Sequence, residues 1–242
     1  MQKKISISLE SNLLNKIDEM IKKGRIKKRS QVVEHIIKNF FKDQIVKQAV
    51  ILAGGKSLKI NKTEFNQTIK KLVENNVEEI FIITNIDNWT WIKPEFTEIK
   101  IIKEDHAMGT AGALTLVENK LISRFFVILG DISFNLDMSD MISFHKSSDN
   151  IATIGITTTE KNLSTDLIRL EGNKIREFSY KIPLKEKSFL TNSGIYLFEK
   201  EIFKFIKKDW SLETDVFPKL VEKEELNGFV FSGQWRHIKD GR

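Results

Sequence analysis

The amino-acid sequence predicts an α/β protein in two parts: a small N-terminal β-α-α unit and a larger domain built on a mainly parallel sheet. Three observations support this prediction. Positive charge is concentrated at the N-terminus, apolar strands alternate with helices from residue 49 onwards, and two glycines follow the first of those strands. We place the N-terminal unit at residues 1–45 and the larger domain at residues 46–242.

Composition narrows the class of protein. Of the 242 residues 40% are hydrophobic, which is ample for a buried core. No apolar run approaches the ~20 residues that a membrane-spanning helix requires, and no signal-peptide pattern follows the basic N-terminus. The absence of cysteine excludes disulfides and thiolate zinc sites. We therefore expect a cytoplasmic protein.

The net charge is unevenly distributed. Residues 1–47 contain 12 lysines or arginines against 5 acidic residues, a balance of +7, whereas the rest of the chain has 27 basic and 28 acidic residues. Such asymmetry favours a polyanion-binding module joined to a near-neutral domain. Lysine-rich helices that are simply solvated would give the same count.

The first unit has a regular hydrophobic pattern. Residues 3–9 alternate between apolar and polar side chains, which is typical of a strand with one buried face. A helix follows from about Ser11 until Gly24 ends it, and a second helix begins near Ser30. Three such short elements bury too little surface alone, so we expect an intertwined dimer with antiparallel strands.

This order of elements resembles the ribbon-helix-helix family of DNA-binding proteins. The resemblance implies an obligate dimer on double-stranded DNA and leaves a tetramer open. The base-reading positions would be the outward strand residues Lys4, Ser6 and Ser8. The phosphate contacts would fall at the start of the second helix, on Lys28, Arg29 and Ser30. A helical hairpin that serves only for dimerisation would show much the same pattern.

The larger domain alternates apolar strands with amphipathic helices, as a doubly covered parallel sheet does. Ligands bind such sheets at the carboxyl ends of strands, which is where Gly54, Gly55 and Asp131 fall. No GxGxxG dinucleotide fingerprint follows either strand. The predicted strands cover residues 49–52, 80–83, 99–102 and 125–129, and the predicted helices cover residues 64–74 and 110–119.

Eight segments in order resemble the sugar-nucleotidyltransferase family. The resemblance implies a Rossmann-like, mainly parallel nucleotidyltransferase fold and a reaction that joins a nucleotide to a sugar 1-phosphate with release of pyrophosphate. The segments are LAGG (52–55), GTAGAL (109–114), VILGD (127–131), FHK (144–146), residues 178–181, NSGIYLFE (192–199), SLETDVFP (211–218) and GQW (233–235).

The resemblance also implies roles for individual residues. Asp131 would hold Mg²⁺, and Lys181 would steady the sugar phosphate while Asn192 and Gly194 shape the sugar pocket. His145, in the FHK segment, is expected to be structural. The nucleotide would be bound by Leu52, Ala53, Gly54, Gly55, Gly109 and Thr110.

Four features depart from the family pattern. The loop of residues 56–62 is too short for the family's arginine and its Pro-Lys pair. His237 stands where a second metal-binding aspartate is expected and is only a weak candidate ligand for Mg²⁺. Tyr180 replaces a glutamate, and Asp166 replaces a glycine. Nucleotidyl transfer depends on positioned positive charge, so these changes predict impaired catalysis, and no catalytic residue is assigned.

We therefore favour a DNA-binding transcriptional regulator over an enzyme. Its larger domain would bind a nucleotide or nucleotide-sugar effector, or would mediate assembly. The alternative is an active, Mg²⁺-dependent sugar-1-phosphate nucleotidylyltransferase with a rewired signature loop.

Overall fold

The structure is a computed structural model that describes residues 6–23, 27–43, 45–55, 60–87, 89–92, 98–158, 167–180 and 190–238. The chain divides into two compact units, Met1–Gln44 and Ile45–Arg242. Within the described part of the chain, none of the helices has the length and apolar character that crossing a bilayer requires.

The N-terminal unit contains the two predicted helices, α1 (Ser11–Lys23) and α2 (Arg29–Asp43). Ile17 and Val32 are buried, and the guanidinium of Arg29 makes two 2.7 Å hydrogen bonds to the carboxylate of Asp18. Residues 6–10 belong to no strand. The described part of the predicted N-terminal strand, residues 6–9, therefore pairs with no strand among the described residues, although a strand requires a partner.

The first half of the large sheet is wholly parallel. Its elements are β1 (Gln48–Leu52), α3 (Lys62–Glu74), β2 (Glu79–Thr84), β3 (Glu98–Lys103), α4 (Gly109–Leu114) and β4 (Phe125–Leu129). The four apolar strands match the predicted ones and lie side by side in the order β3-β2-β1-β4.

The second half of the sheet is mixed. The α-helices and strands that follow β4 in the chain are β5 (Ile132–Phe134), α5 (Met138–Lys146), β6 (Ala152–Thr158), β7 (Leu167–Glu171), β8 (Lys174–Ser179), β9 (Leu190–Phe198), α6 (Phe217–Glu222), β10 (Leu226–Val230) and β11 (Trp235–His237). In the described residues, one sheet of nine strands has the order β3-β2-β1-β4-β9-β6-β10-β8-β7, and β11 pairs with β5 in a second, two-stranded sheet. The predicted largely parallel α/β fold is thus confirmed, with antiparallel strands added beyond β4.

Two apolar layers cover the large sheet, one on each face. Along β1 the side chains alternate: Val50 and Leu52 belong to one cluster, while Ala49 and Ile51 belong to the other. Burial on both faces explains why the sequence of this strand is uniformly apolar rather than alternating. This packing holds the carboxyl end of β1 rigidly in the middle of the sheet.

His145 is structural, as predicted. Its side chain is 1% exposed, its Nδ1 lies 2.7 Å from the hydroxyl of Thr153, and its Nε2 lies 3.4 Å from Glu199 Oε1. Arg124 contacts the same carboxylate at 2.7 Å. The hydrogen bond from His145, together with the charge of Arg124, lowers the pKa of Glu199 although burial acts to raise it. This cluster ties α5 to β6 and to the end of β9.

Candidate active site

The carboxyl ends of the parallel strands meet at one edge of the sheet. Leu52 pairs with Ile83 of β2 and with Leu129 of β4. Hydrogen bonds of 2.8 Å extend this register past the strands, from Ala53 N to Ile83 O and from Gly130 N to Leu52 O. The glycine turn after β1 therefore lies directly beside the Gly-Asp pair after β4.

A cavity of about 180 Å³ lies at this edge. Five of the six predicted nucleotide-binding residues line it, and the sixth, Ala53, is buried with its carbonyl oxygen accepting a 2.8 Å hydrogen bond from the Thr84 hydroxyl. The lining residues are Leu52, Gly54, Gly55, Ile83, Glu104, Ala107, Gly109, Thr110 and Ala113. The glycine turn and the start of α4 thus form two walls of one cavity.

Asp131 and His237 come together although 106 positions separate them in the sequence. The side chain of Asp131 is largely buried, and its Oδ2 lies 4.0 Å from His237 Nδ1. The antiparallel pairing of β11 with β5 sets His237 opposite Ile132, next to Asp131. Within the described residues, no group of three or more His, Cys, Asp or Glu side chains is arranged to hold a metal ion.

The β11 strand is anchored from two sides. Arg236 contacts Glu64 of α3 at 2.6 Å, and the indole Nε1 of Trp235 donates a 2.7 Å hydrogen bond to Ser193 O. A hydrogen bond from the Ser133 hydroxyl, with the charge of Arg236, lowers the pKa of Glu64 against the effect of burial. These contacts keep His237 beside Asp131.

A buried hydrogen-bond network joins this cavity to the predicted sugar pocket. Glu213, 6% exposed, accepts 2.7 Å hydrogen bonds at Oε2 from the hydroxyls of Thr110 and Ser211. Its Oε1 accepts from the Tyr196 hydroxyl at 3.1 Å. Tyr196 in turn accepts from the Asn192 amide at 3.0 Å, and Asn192 Oδ1 accepts from Gly194 N. One carboxylate thus fixes residues on both sides of the site.

Replacing Glu213 by glutamine should weaken both sides together. An amide offers one acceptor where the carboxylate receives three hydroxyl donors, so we expect about 1–3 kcal/mol less free energy of unfolding. Chemical denaturation and nucleotide titration would measure the loss of stability and of affinity. Glu222→Gln, at the exposed end of α6, is the matched control and should change neither quantity. Equal effects of the two substitutions would contradict the role of the network.

Several residues that the sequence singled out lie outside the part of the chain that the structure describes. Lys4, Lys181 and Asp166 lie outside the described residues, as do residues 56–59 of the short loop. The loop does end early, because Asn61 caps α3 by accepting hydrogen bonds from Thr63 N and Glu64 N. No motif pointed to Glu104, which lies in a run of charged and polar residues after β3.

The comparisons with known proteins define the class of protein. Residues 27–238 match the nucleotidyl transferase family, which is most of the chain. The chain therefore belongs to the nucleotidyl transferase family. The predicted resemblance to sugar nucleotidyltransferases is confirmed at this level, whereas a ribbon-helix-helix domain has no support from the comparisons.

The curated relatives are longer proteins. The chain is 30% identical over 154 residues to mannose-1-phosphate guanylyltransferase 1 of Arabidopsis thaliana, an overlap of 60% of this chain and 42% of that protein. It is 29% identical over 181 residues to the bifunctional protein GlmU of Methanococcus aeolicus, covering 70% of this chain and 41% of the relative. The chain thus spans less than half the length of these relatives.

Solved structures share the fold. HddC from Yersinia pseudotuberculosis superposes with a TM-score of 0.65 at 21% identity, covering 80% of this chain and 94% of that one. The inositol-1-phosphate CTP transferase from T. maritima superposes with a TM-score of 0.64 at 17% identity, covering 80% and 89%. At these identities the likeness establishes the architecture.

The interpretation as a DNA-binding transcriptional regulator is wrong. The chain belongs to the nucleotidyl transferase family, and its relatives are named as mannose-1-phosphate guanylyltransferases and GlmU, which favours an enzyme. The preference for a protein that is not an enzyme is corrected for the same reason. That interpretation relied on the positive charge of the N-terminal unit. Arg29, which was expected to contact a DNA phosphate, forms an ion pair with Asp18 instead. The other described residues that were expected to contact DNA are exposed, but DNA binding by them has no support; they are Ser6, Ser8, Lys28 and Ser30.

Proposed function

We propose that the chain is a sugar-1-phosphate nucleotidylyltransferase. The observation that carries this proposal is the single edge of the sheet at which a glycine-walled cavity, a buried aspartate and residues Asn192–Gly194 of β9 adjoin. In the reaction, an oxygen of the sugar phosphate attacks the α-phosphorus of a nucleoside triphosphate, and the bond to the β-phosphate breaks to release pyrophosphate. Since the Arabidopsis thaliana relative is named as a mannose-1-phosphate guanylyltransferase, a hexose 1-phosphate is the proposed acceptor.

The proposed roles follow the geometry. Gly54 and Gly55 leave backbone amides accessible to the nucleotide, and Gly55 has a φ of 105°, which glycine adopts without strain. Gly109 and Thr110 form the opposite wall. Asn192 and Gly194 bind the sugar, with Gly194 seated against the side chain of Leu129. Lys181, outside the described residues, remains the candidate for the sugar phosphate.

The donor set at Asp131 suits a magnesium ion. Mg²⁺ binds proteins through one or two carboxylates and takes its other ligands from water and substrate phosphates, so one buried aspartate beside the glycine turn is sufficient. His237, at 4.0 Å from that carboxylate, offers a nitrogen, which Mg²⁺ disfavours. When bound, the ion would neutralise charge on the phosphate oxygens. Asp131 would hold it, and His237 would orient the carboxylate.

Pyrophosphate release tests the proposal directly. The purified chain is incubated with Mg²⁺, one nucleoside triphosphate and one hexose 1-phosphate at a time, and pyrophosphate is detected by a coupled assay. We expect release that requires both substrates and is abolished by chelating the metal. A complete panel of triphosphates and hexose 1-phosphates without turnover would refute the proposal.

We also propose that the N-terminal unit pairs two copies of the chain. Six large apolar side chains of this unit are at least 36% exposed, while Ile17 and Val32 are its buried apolar residues among those described. Residues 6–9 alternate in polarity yet pair with no strand in the part of the chain that the structure describes, and a second copy presents the identical segment for two-fold antiparallel pairing. The exposed residues are Ile7, Leu9, Leu13, Met20, Ile36 and Ile37.

Light scattering of the full chain tests this pairing. The wild type should have the mass of a dimer, and Leu13→Glu should shift it to a monomer because the carboxylate would be buried in the apolar contact. Asn15→Glu adds the same charge at an exposed polar position of α1 and should leave the dimer intact. A monomeric wild type would overturn the pairing.

A further inference from the structure

Arg236 places a positive charge near Asp131. Its strand, β11, pairs with β5 so that Arg236 lies opposite Ser133, and the ladder continues because Ile238 N donates a 2.7 Å hydrogen bond to Asp131 O. Arg236 therefore lies two residues along the ladder from Asp131, a distance of roughly 7 Å. This distance is within the reach of an extended arginine side chain, so the guanidinium can contact a ligand that is bound at Asp131.

The other described arginines form ion pairs away from this edge of the sheet. Arg124 pairs with Glu199 at the start of β4, which is the opposite edge. Arg169 and Arg176 pair with acidic residues at the β7–β8 hairpin, and Arg29 belongs to the N-terminal unit. Among the arginines that the structure describes, Arg236 is thus the one that adjoins the candidate active site.

A nucleoside triphosphate at this edge needs positive charge that the cavity walls do not supply. The described residues that line the cavity include no lysine or arginine, and Glu104 among them is acidic. When pyrophosphate leaves, negative charge builds on the departing phosphate oxygens, and groups that stabilise this charge accelerate the transfer. A guanidinium suits this task because its fork of N–H donors can bind two phosphate oxygens at once.

Glu64 holds the guanidinium at the site and leaves it accessible. Nη2 of Arg236 donates a 2.6 Å hydrogen bond to Glu64 Oε1, which is its one hydrogen bond among the described residues. The side chain of Arg236 is 60% exposed, whereas that of Glu64 is 14% exposed and also accepts a hydrogen bond from Ser133. The carboxylate is thus fixed in the first turn of α3, and the guanidinium has further N–H donors for an incoming anion.

We propose that Arg236 binds the β- and γ-phosphates of the nucleoside triphosphate and stabilises the pyrophosphate as it leaves. This inference rests on the proposed function, because it adds a residue to the reaction proposed above. The sugar-phosphate oxygen forms the new bond to the α-phosphorus, and the electron pair of the broken bond goes to the pyrophosphate, next to the guanidinium. Glu64 is a positioning residue, which holds Arg236 at the site before the triphosphate binds.

Calorimetric titration of the full chain with Mg²⁺-pyrophosphate tests the inference without requiring turnover or a choice of base. We expect Arg236→Ala to weaken pyrophosphate binding by about 10-fold or more, and Arg236→Lys to restore part of the affinity, because lysine keeps the charge but not the fork. Glu64→Gln breaks the same ion pair. It should nevertheless bind pyrophosphate at least as tightly as the wild type, because the guanidinium is released and a negative charge is removed.

GTP and GMP extend the test to the nucleotide. Arg236→Ala should weaken GTP by a similar factor and leave the affinity for GMP unchanged, since a monophosphate lacks the two phosphates that Arg236 is proposed to bind. Arg169→Ala is the matched control: it removes an exposed arginine that is paired with Glu177, and it should change none of these affinities.

The outcomes separate this inference from the proposed function. An ion pair with only a structural role would make Arg236→Ala and Glu64→Gln equivalent. Equal losses in these two variants, or an unchanged pyrophosphate affinity in Arg236→Ala, would overturn the role of Arg236 and leave the proposed function standing. Should Arg236→Ala fail to fold, the pyrophosphate affinity of Arg236→Lys relative to the wild type decides the question. A wild type that binds neither pyrophosphate nor any of GTP, ATP, CTP and UTP would overturn both.

Discussion

Asp131→Asn is expected to lower the turnover of the proposed transfer by about 10³-fold, with little change in stability. The substitution keeps the size of the side chain but removes the negative charge that would hold Mg²⁺ at the end of β4. Loss of a single group that stabilises charge at a phosphate typically costs a factor of this order. Steady-state pyrophosphate release at saturating substrates would measure it.

The Mg²⁺ dependence makes this expectation specific. Activity of the variant should rise over a higher range of Mg²⁺ concentration than that of the wild type, since a weaker site needs more metal to fill. Asp149→Asn, in the exposed loop after α5, is the matched control and should behave as the wild type. A variant with unchanged turnover and an unchanged Mg²⁺ dependence would show that Asp131 does not hold the ion.

Gly109→Ala should destabilise the larger domain by about 3–5 kcal/mol and abolish nucleotide binding. Gly109 has a φ of 73°, where a non-glycine residue is strained, and an added Cβ would collide with the carbonyl group of Trp210. That carbonyl oxygen accepts hydrogen bonds from Ala111 N and Gly112 N, each at 3.0 Å. The collision would therefore disturb the start of α4 and the cavity wall that it forms.

Gly172→Ala separates strain from collision. Gly172, in the turn between β7 and β8, has a φ of 59°, but nothing lies within 4 Å of an added Cβ. We expect it to cost only about 1 kcal/mol and to leave nucleotide binding unchanged. Denaturant unfolding of both variants, with GTP titration, would compare them. Similar losses of unfolding free energy at the two positions would show that the collision with Trp210 does not contribute to the destabilisation.

The parallel half of the fold could be predicted from the sequence because its strands are buried on both faces. Runs such as residues 49–52 and 125–129 are uniformly apolar, and the helix that begins at Lys62 has a regular apolar stripe. The short strands β5 and β11 could not be predicted, since three residues acquire strand geometry only from their partner. The segment at residues 6–9 has the reverse problem: the alternating pattern is present, but it pairs with no strand among the described residues.

Residues of the candidate site could be predicted where the position in the backbone calls for a particular residue type. Gly54 and Gly109 stand out because glycine is rare in apolar strands and helices, and Asp131 because it ends an apolar run. Glu104 leaves no such mark, and Glu213, although it lies in the SLETDVFP segment, carries no sign in the sequence that it is buried. Each is one acidic residue among several, and its role arises from contacts with residues far away in the chain, such as the 103 positions between Thr110 and Glu213. Only the folded chain shows which carboxylates are buried.

The antiparallel direction of β9 has a consequence for the two proposed substrate sides. Because β9 runs against β4, it reaches the site with residues of its first half, Asn192 to Gly194, rather than with its last residues. The proposed sugar side is thus formed by residues in the first half of this strand, whereas the cavity proposed for the nucleotide is lined mainly by segments that follow β1 and β3. Substitutions in this part of β9 would therefore change the proposed acceptor side while the lining of the proposed donor cavity stays the same.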